Sequence, residues 1–183
     1  MFLPPNTGVP MMEPALMGMV VLLIPVVALE GWYASRKLEL ARVTIWATIT
    51  LANVVSTLVG VPLAVWAHGA LRGLLAPYGS TVAKASFRGE FWSNLLGVVS
   101  NAALLPPIDG QLYWMVPVAL LVLLVPCYLA SVLIETPLCM AAWDSIPPAR
   151  VLRLVMAANL RSSCFLCCVV LLMLAHAVWS HAA

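Results

Sequence analysis

The sequence predicts an all-α integral membrane protein: a four-helix bundle of two tandem, like-oriented helical hairpins, with one amphipathic interfacial helix. Three observations lead there. Apolar residues make up 63% of the chain and charged residues only 9%, with a mean hydropathy of +1.03, far outside soluble globular usage. Four segments are long and apolar enough to cross a hydrocarbon core of about 30 Å, which takes about 20 helical residues. The third observation is a repeat in the polar residues. Glu30 precedes the Asn of Ala52-Asn53 by 23 positions, and Glu135 precedes the Asn of Ala158-Asn159 by 24. Ionisable and amide groups are costly in hydrocarbon, so a recurring pair points to a duplicated hairpin. At 183 residues, with no long polar stretch, residues 1–183 form a single transmembrane domain.

The spans fall near 14–34, 43–67, 112–142 and 150–179. In the first, Pro25 predicts a mild bend and Glu30 lies toward the end nearer the basic Ser35–Arg42 turn. The second carries a small or hydroxylated stripe of Thr50, Asn53, Thr57, Gly60 and Ala64, which favours close helix approach; Pro62 lies beyond its centre. The 69–111 connection contains an amphipathic segment, 90–105. There Phe91, Trp92, Leu95, Leu96, Val98 and Val99 recur opposite Ser93, Asn94, Ser100 and Asn101. It is too short and polar to span and suits the outer interface, as a cover helix or a partner-docking surface. Pro117, Pro126 and Pro137 each remove a backbone donor from the third span, which should be tilted, kinked or interrupted. A short turn, Trp143–Arg150, leads into the fourth span, where Asn159 and Ser163 share a face continued by Cys167.

Arg36, Lys37, Arg42, Arg150 and Arg153 lie in or beside the two short turns, while residues 1–35 and 162–183 carry no Lys or Arg. The positive-inside rule puts those turns in the cytoplasm and both termini outside, a bias reduced by Arg72, Lys84 and Arg88 on the outer connection. No basic region or cleavage site marks a signal peptide at the N-terminus, so the first helix is expected to stay. Two spans per repeat make the halves like-oriented, related by a pseudo-two-fold axis along the membrane normal. Trp32, Trp66, Trp92, Trp114, Trp143 and Trp179 lie near span ends and read as interfacial anchors.

The candidate chemistry is an intramembrane polar network of Glu30, Asn53, Glu135, Asn159 and Arg161. An Asn amide can donate to a carboxylate, and Arg161 offers either acid an opposite charge. Such contacts pin helices together; the competing reading is a proton or ion path. Cys164, Cys167 and Cys168 crowd the last span without a neighbouring set of four metal ligands, so packing as small apolar side chains is the expectation and no metal site is predicted. His68 and His176 occupy comparable outer positions and would be the haem ligands if a cofactor were present; otherwise they are interfacial tips, and no cofactor is predicted. Phosphate loops, zinc helices and nucleophile turns are missing from the sequence, which gives no support to an enzyme. A net charge of +2 with dispersed basic residues provides neither a nucleic-acid footprint nor a strong polybasic lipid patch.

Ile24-Pro25, Glu30, Tyr33, Arg36-Lys37-Leu38 and Asn53-Val54-Val55-Ser56 resemble the first hairpin of cyanobacterial filament-integrity proteins of the FraC type. Ala158-Asn159-Leu160-Arg161-Ser162-Ser163 is similar to that family's last helix. The resemblance covers about a third of the chain, and the short inner turn before the fourth span departs from the family's longer polar stretch. It implies a small multi-span protein acting in a cell-envelope or cell-junction assembly. The expected function is therefore a non-enzymatic structural or accessory subunit of the bacterial inner (cytoplasmic) membrane, with lipid and other membrane subunits as partners. The alternatives are a small transporter or proton-conducting element and a bis-His haem electron carrier.

Overall fold

The computed structural model describes residues 12–86 and 112–182, with side chains chiefly over 21–60 and 114–180. The described residues are all helical, without strands. Helix α1 is Met12–Lys37, α2 Arg42–Ser86, α3 Leu112–Ala142 and α4 Pro148–Ala182. The expected amphipathic segment 90–105 lies outside the described residues.

One helix runs well beyond the span expected for it. The second helix does not stop near residue 67 but runs past Pro62 and Pro77 to Ser86. A proline forfeits one backbone bond and strains the turn before it, so the helix continues past each at a local cost. Helix α3 occupies the expected 112–142, and of the tilt, kink or interruption expected from Pro117, Pro126 and Pro137 an interruption does not occur. Three of the described helical stretches have the length and apolarity to cross a membrane, Arg42–Gly60, Trp114–Ala142 and Pro148–Ser180. The part of α1 with described side chains begins at Val21 and carries Glu30, Arg36 and Lys37, leaving it short of that standard.

Helix α2 packs against α1 and α3, and α4 packs against α3 and α1. At one end Arg150 donates from Nη2 to the carbonyl of Lys37 at 3.2 Å, so the start of α4 abuts the end of α1. The core next to this end contains Ala34, Leu38, Ile45, Ile49, Cys139, Trp143, Val151 and Val155. Trp143, expected at the interface, is instead 1% exposed within this cluster. Its backbone N–H donates to the Cys139 carbonyl at 2.9 Å in the pattern of α3, and the chain turns only after it, where the Ile146 N–H donates to the Trp143 carbonyl at 2.9 Å.

Gly31 and Gly60 differ in the room beside them. A Cβ on Gly31 would come within 2.7 Å of the Trp46 ring, whereas one on Gly60 would meet Ile134 at 3.5 Å and Ala130 at 3.6 Å, ordinary contact. Only a glycine at 31 lets the indole lie on α1. Thr50, from the same stripe, is exposed.

Polarity is arranged opposite to that of a water-soluble protein. Ile24, Leu58, Leu133 and Leu172 are 69–75% exposed, while Glu30, Asn53, Ser56, Glu135, Asn159 and Ser162 are buried. Lipid tails solvate the outer apolar side chains as well as a core would, leaving the polar groups to face one another.

Candidate functional site

The buried polar groups meet where all four helices come together. On α1, Glu30 lies seven residues before Lys37, about 10 Å along the helix at 1.5 Å per residue. On α3, Glu135 lies seven residues before Ala142, at the same depth. Both carboxyl groups are 1% exposed. The amide of Asn53 donates to Glu30 Oε2 at 2.7 Å, and that of Asn159 donates to Glu135 Oε2 at 2.7 Å. Each amide also bonds the carbonyl four residues earlier, Ile49 at 3.1 Å and Val155 at 3.2 Å. Both amide protons are therefore used, and each side chain is held in one orientation.

The remaining carboxyl oxygens are taken from the opposite half of the chain. Ser162 Oγ on α4 lies 2.6 Å from Glu30 Oε1, and Ser56 Oγ on α2 lies 2.7 Å from Glu135 Oε1. Asn53 and Ser56 are three residues apart on α2, as are Asn159 and Ser162 on α4, so each pair shares a helix face. The result is a closed ring: Glu30, Asn53, Ser56, Glu135, Asn159, Ser162 and back to Glu30. Every carboxyl oxygen has one donor from the ring.

Each serine also has a second acceptor. Ser56 Oγ is 3.1 Å from the Asn53 carbonyl, and Ser162 Oγ is 3.0 Å from the Asn159 carbonyl. A hydroxyl has one proton, so it donates either to the carboxyl or to the backbone at a given moment. This gives the ring two hydrogen-bonding patterns without moving a heavy atom.

Arg161 takes no part in the ring. Its side chain is exposed, Nη1 donates to the Ala157 carbonyl at 2.7 Å, and the guanidinium lies 3.9 Å from the Tyr33 ring centroid. One residue further along, helical rotation turns Ser162 inward and Arg161 outward. Among the described residues no cation pairs with either carboxyl group. Ser163, expected beside Asn159, is half-buried, and Ser162 occupies the inner face. The two serines were missed as site residues although their signal was available: Asn-x-x-Ser occurs at the same place in both halves, 53–56 and 159–162.

The other candidates lie apart. His176 is exposed near the far end of α4, and the His68 side chain lies outside those described. Among the cysteines Cys139 is buried, Cys127 and Cys167 are half-buried, and Cys164 and Cys168 are exposed. A shallow groove lined by Arg42, Val43, Trp46 and Val54 runs along the outer face of α2 and touches no member of the ring. Comparison with known protein families, with curated proteins and with solved structures finds no match to this chain.

Proposed function

We propose that this chain is a non-enzymatic structural or accessory subunit of a larger membrane assembly, made of two like-oriented hairpins that arose by duplication of one. What supports the duplication is the equal treatment of the two acids: each accepts from an Asn on the next helix and from a Ser in the other half. In this reading the hairpins form a four-helix bundle in the bacterial inner membrane, with the short turns in the cytoplasm and both termini outside. The single observation that carries the structural role is closure of the ring. Each of the four carboxyl oxygens faces an Asn or Ser donor from another helix, which suits a latch that holds four helices in one register. Chemical crosslinking in native membranes, followed by gentle detergent extraction, tests this. Recovery of a defined larger complex is expected; a monomer without crosslinked neighbours would refute it.

The second reading, a proton-conducting element, is favoured by two buried carboxyl groups each bonded to a serine hydroxyl, since a carboxyl group can take up and release a proton and a hydroxyl can pass one on. Proton flux in proteoliposomes separates the two. Flux lost in Glu30→Gln and Glu135→Gln with the fold intact supports conduction, and absence of flux in the unaltered protein supports the latch.

A further inference from the structure

We propose that Arg161 anchors the phosphate of one anionic phospholipid, seated on the seam between α1 and α4 with an acyl chain along α4. A guanidinium keeps its charge in any protein environment and carries five N–H donors in a planar fork. One of them bonds the Ala157 carbonyl at 2.7 Å, and the Tyr33 ring supports the cation's face at 3.9 Å. The other donors have no acceptor among the described residues, although the side chain is exposed on a helix apolar enough to span. The two acids at its depth, Glu30 and Glu135, are already committed to Asn and Ser donors. An exposed cation facing lipid needs an anion, and a phosphodiester fits the fork in a bidentate manner.

The surroundings favour a headgroup at this place. Folding gathers basic groups that are scattered in the sequence. Arg150 bonds the Lys37 carbonyl at 3.2 Å, and Arg36 lies over the Trp32 ring at 4.3 Å, so the ends of α1 and α4 present positive charge together. Tyr33 lies one turn before Lys37, which puts the Arg161 head close to that basic end, as expected of a cation that snorkels toward the interface.

The acyl track runs the other way. Arg161, Cys164, Cys168 and Leu172 lie on one face of α4 and all are exposed. From Arg161 to Leu172 the helix rises about 16 Å. Half of a hydrocarbon core is about 15 Å. The two cysteines are small and leave room for an acyl chain on this exposed face.

Native mass spectrometry of the whole protein in detergent tests this, with phosphatidylglycerol and phosphatidylcholine added at equal concentration. The expected result is one phosphatidylglycerol retained in preference to phosphatidylcholine, with the preference reduced about tenfold in Arg161→Gln, the effect of losing one charge-assisted pair. Arg161→Lys, which keeps the charge but loses the fork, should fall between. Equal retention of the two lipids by the unaltered protein overturns the proposal, even if Arg161→Gln does not fold. An unchanged preference in a folded Arg161→Gln, or displacement of the lipid by free glycerol phosphate, overturns it as well.

Discussion

Replacing Asn53 by Leu probes the ring at a point where cost can be worked from single contacts. The side chains are of similar size, so the main loss is the 2.7 Å bond to Glu30 Oε2, with the weaker bond to Ile49. A buried acceptor left without its donor costs about 1–3 kcal/mol. Changing Glu30 to Leu as well removes the stranded acceptor, and Ser162 can then turn its proton to the Asn159 carbonyl at 3.0 Å. The double variant should therefore recover part of the single-variant loss. Interhelical hydrogen bonds in membranes couple by about 0.6 kcal/mol on average and up to about 1.7, so a Glu30–Asn53 coupling of about 0.5–2 kcal/mol is expected. The Glu135–Asn159 cycle should have the same sign, since its bond is also 2.7 Å. A Glu30–Arg161 cycle should give none, because Arg161 lies over Tyr33 instead. Unfolding in mixed micelles with increasing dodecyl sulfate, followed by tryptophan fluorescence, measures all three. A Glu30–Asn53 coupling indistinguishable from zero, with clear coupling to Arg161, would refute the ring.

Three further outcomes follow from packing and topology. Gly31→Ala should destabilise by about 1–3 kcal/mol, as overpacking does, because its Cβ would meet the Trp46 ring at 2.7 Å. Gly60→Ala, in ordinary contact, should instead gain about 0.5–1 kcal/mol of helix preference; the same micelle titration compares them. Trp143→Ala should cost about 3–5 kcal/mol, as removal of a large core side chain does, and a loss below 1 kcal/mol would return Trp143 to the interface. Ser145→Cys in the exposed turn should react with a membrane-impermeant maleimide only from the cytoplasmic side in a background lacking the native cysteines; labelling of intact cells from outside would reverse the proposed orientation.

Much of the architecture was legible because helix length and hydropathy are local properties. Helices α1, α3 and α4 fall where apolar runs lie, and the Glu-to-Asn spacing singles out the pairs that hydrogen-bond. What the sequence hid were matters of angle and of company. Arg161 and Ser162 are adjacent, and only the rotation of α4 decides which turns inward. Trp143 reads as an interfacial anchor by position, yet its side chain is buried in the core. Gly31 carries no local sign of the Trp46 ring because that contact belongs to a neighbouring helix. The expected second span covers only the apolar part of α2, and hydropathy does not show that the helix continues to Ser86.

The ring also explains why the acids recur in pairs. An isolated hairpin of α1 and α2 could satisfy Glu30 Oε2 through Asn53 but would leave Oε1 without a donor in the apolar interior. That donor is Ser162, 132 positions later in the chain. The same holds in reverse, since Glu135 obtains its second bond from Ser56, which precedes it by 79 positions. Each half is thus incomplete in itself and complementary to the other, and an unpaired oxygen in hydrocarbon penalises any register that misses the match. The Asn bonds can hold a helix to its sequence neighbour; the Ser bonds select which surfaces of the two halves meet. Ser56→Ala and Ser162→Ala should accordingly loosen the association of α2 with α3 and of α4 with α1. Cysteine crosslinks placed across those two seams should then form more slowly, while crosslinks between α1 and α2 keep their rate.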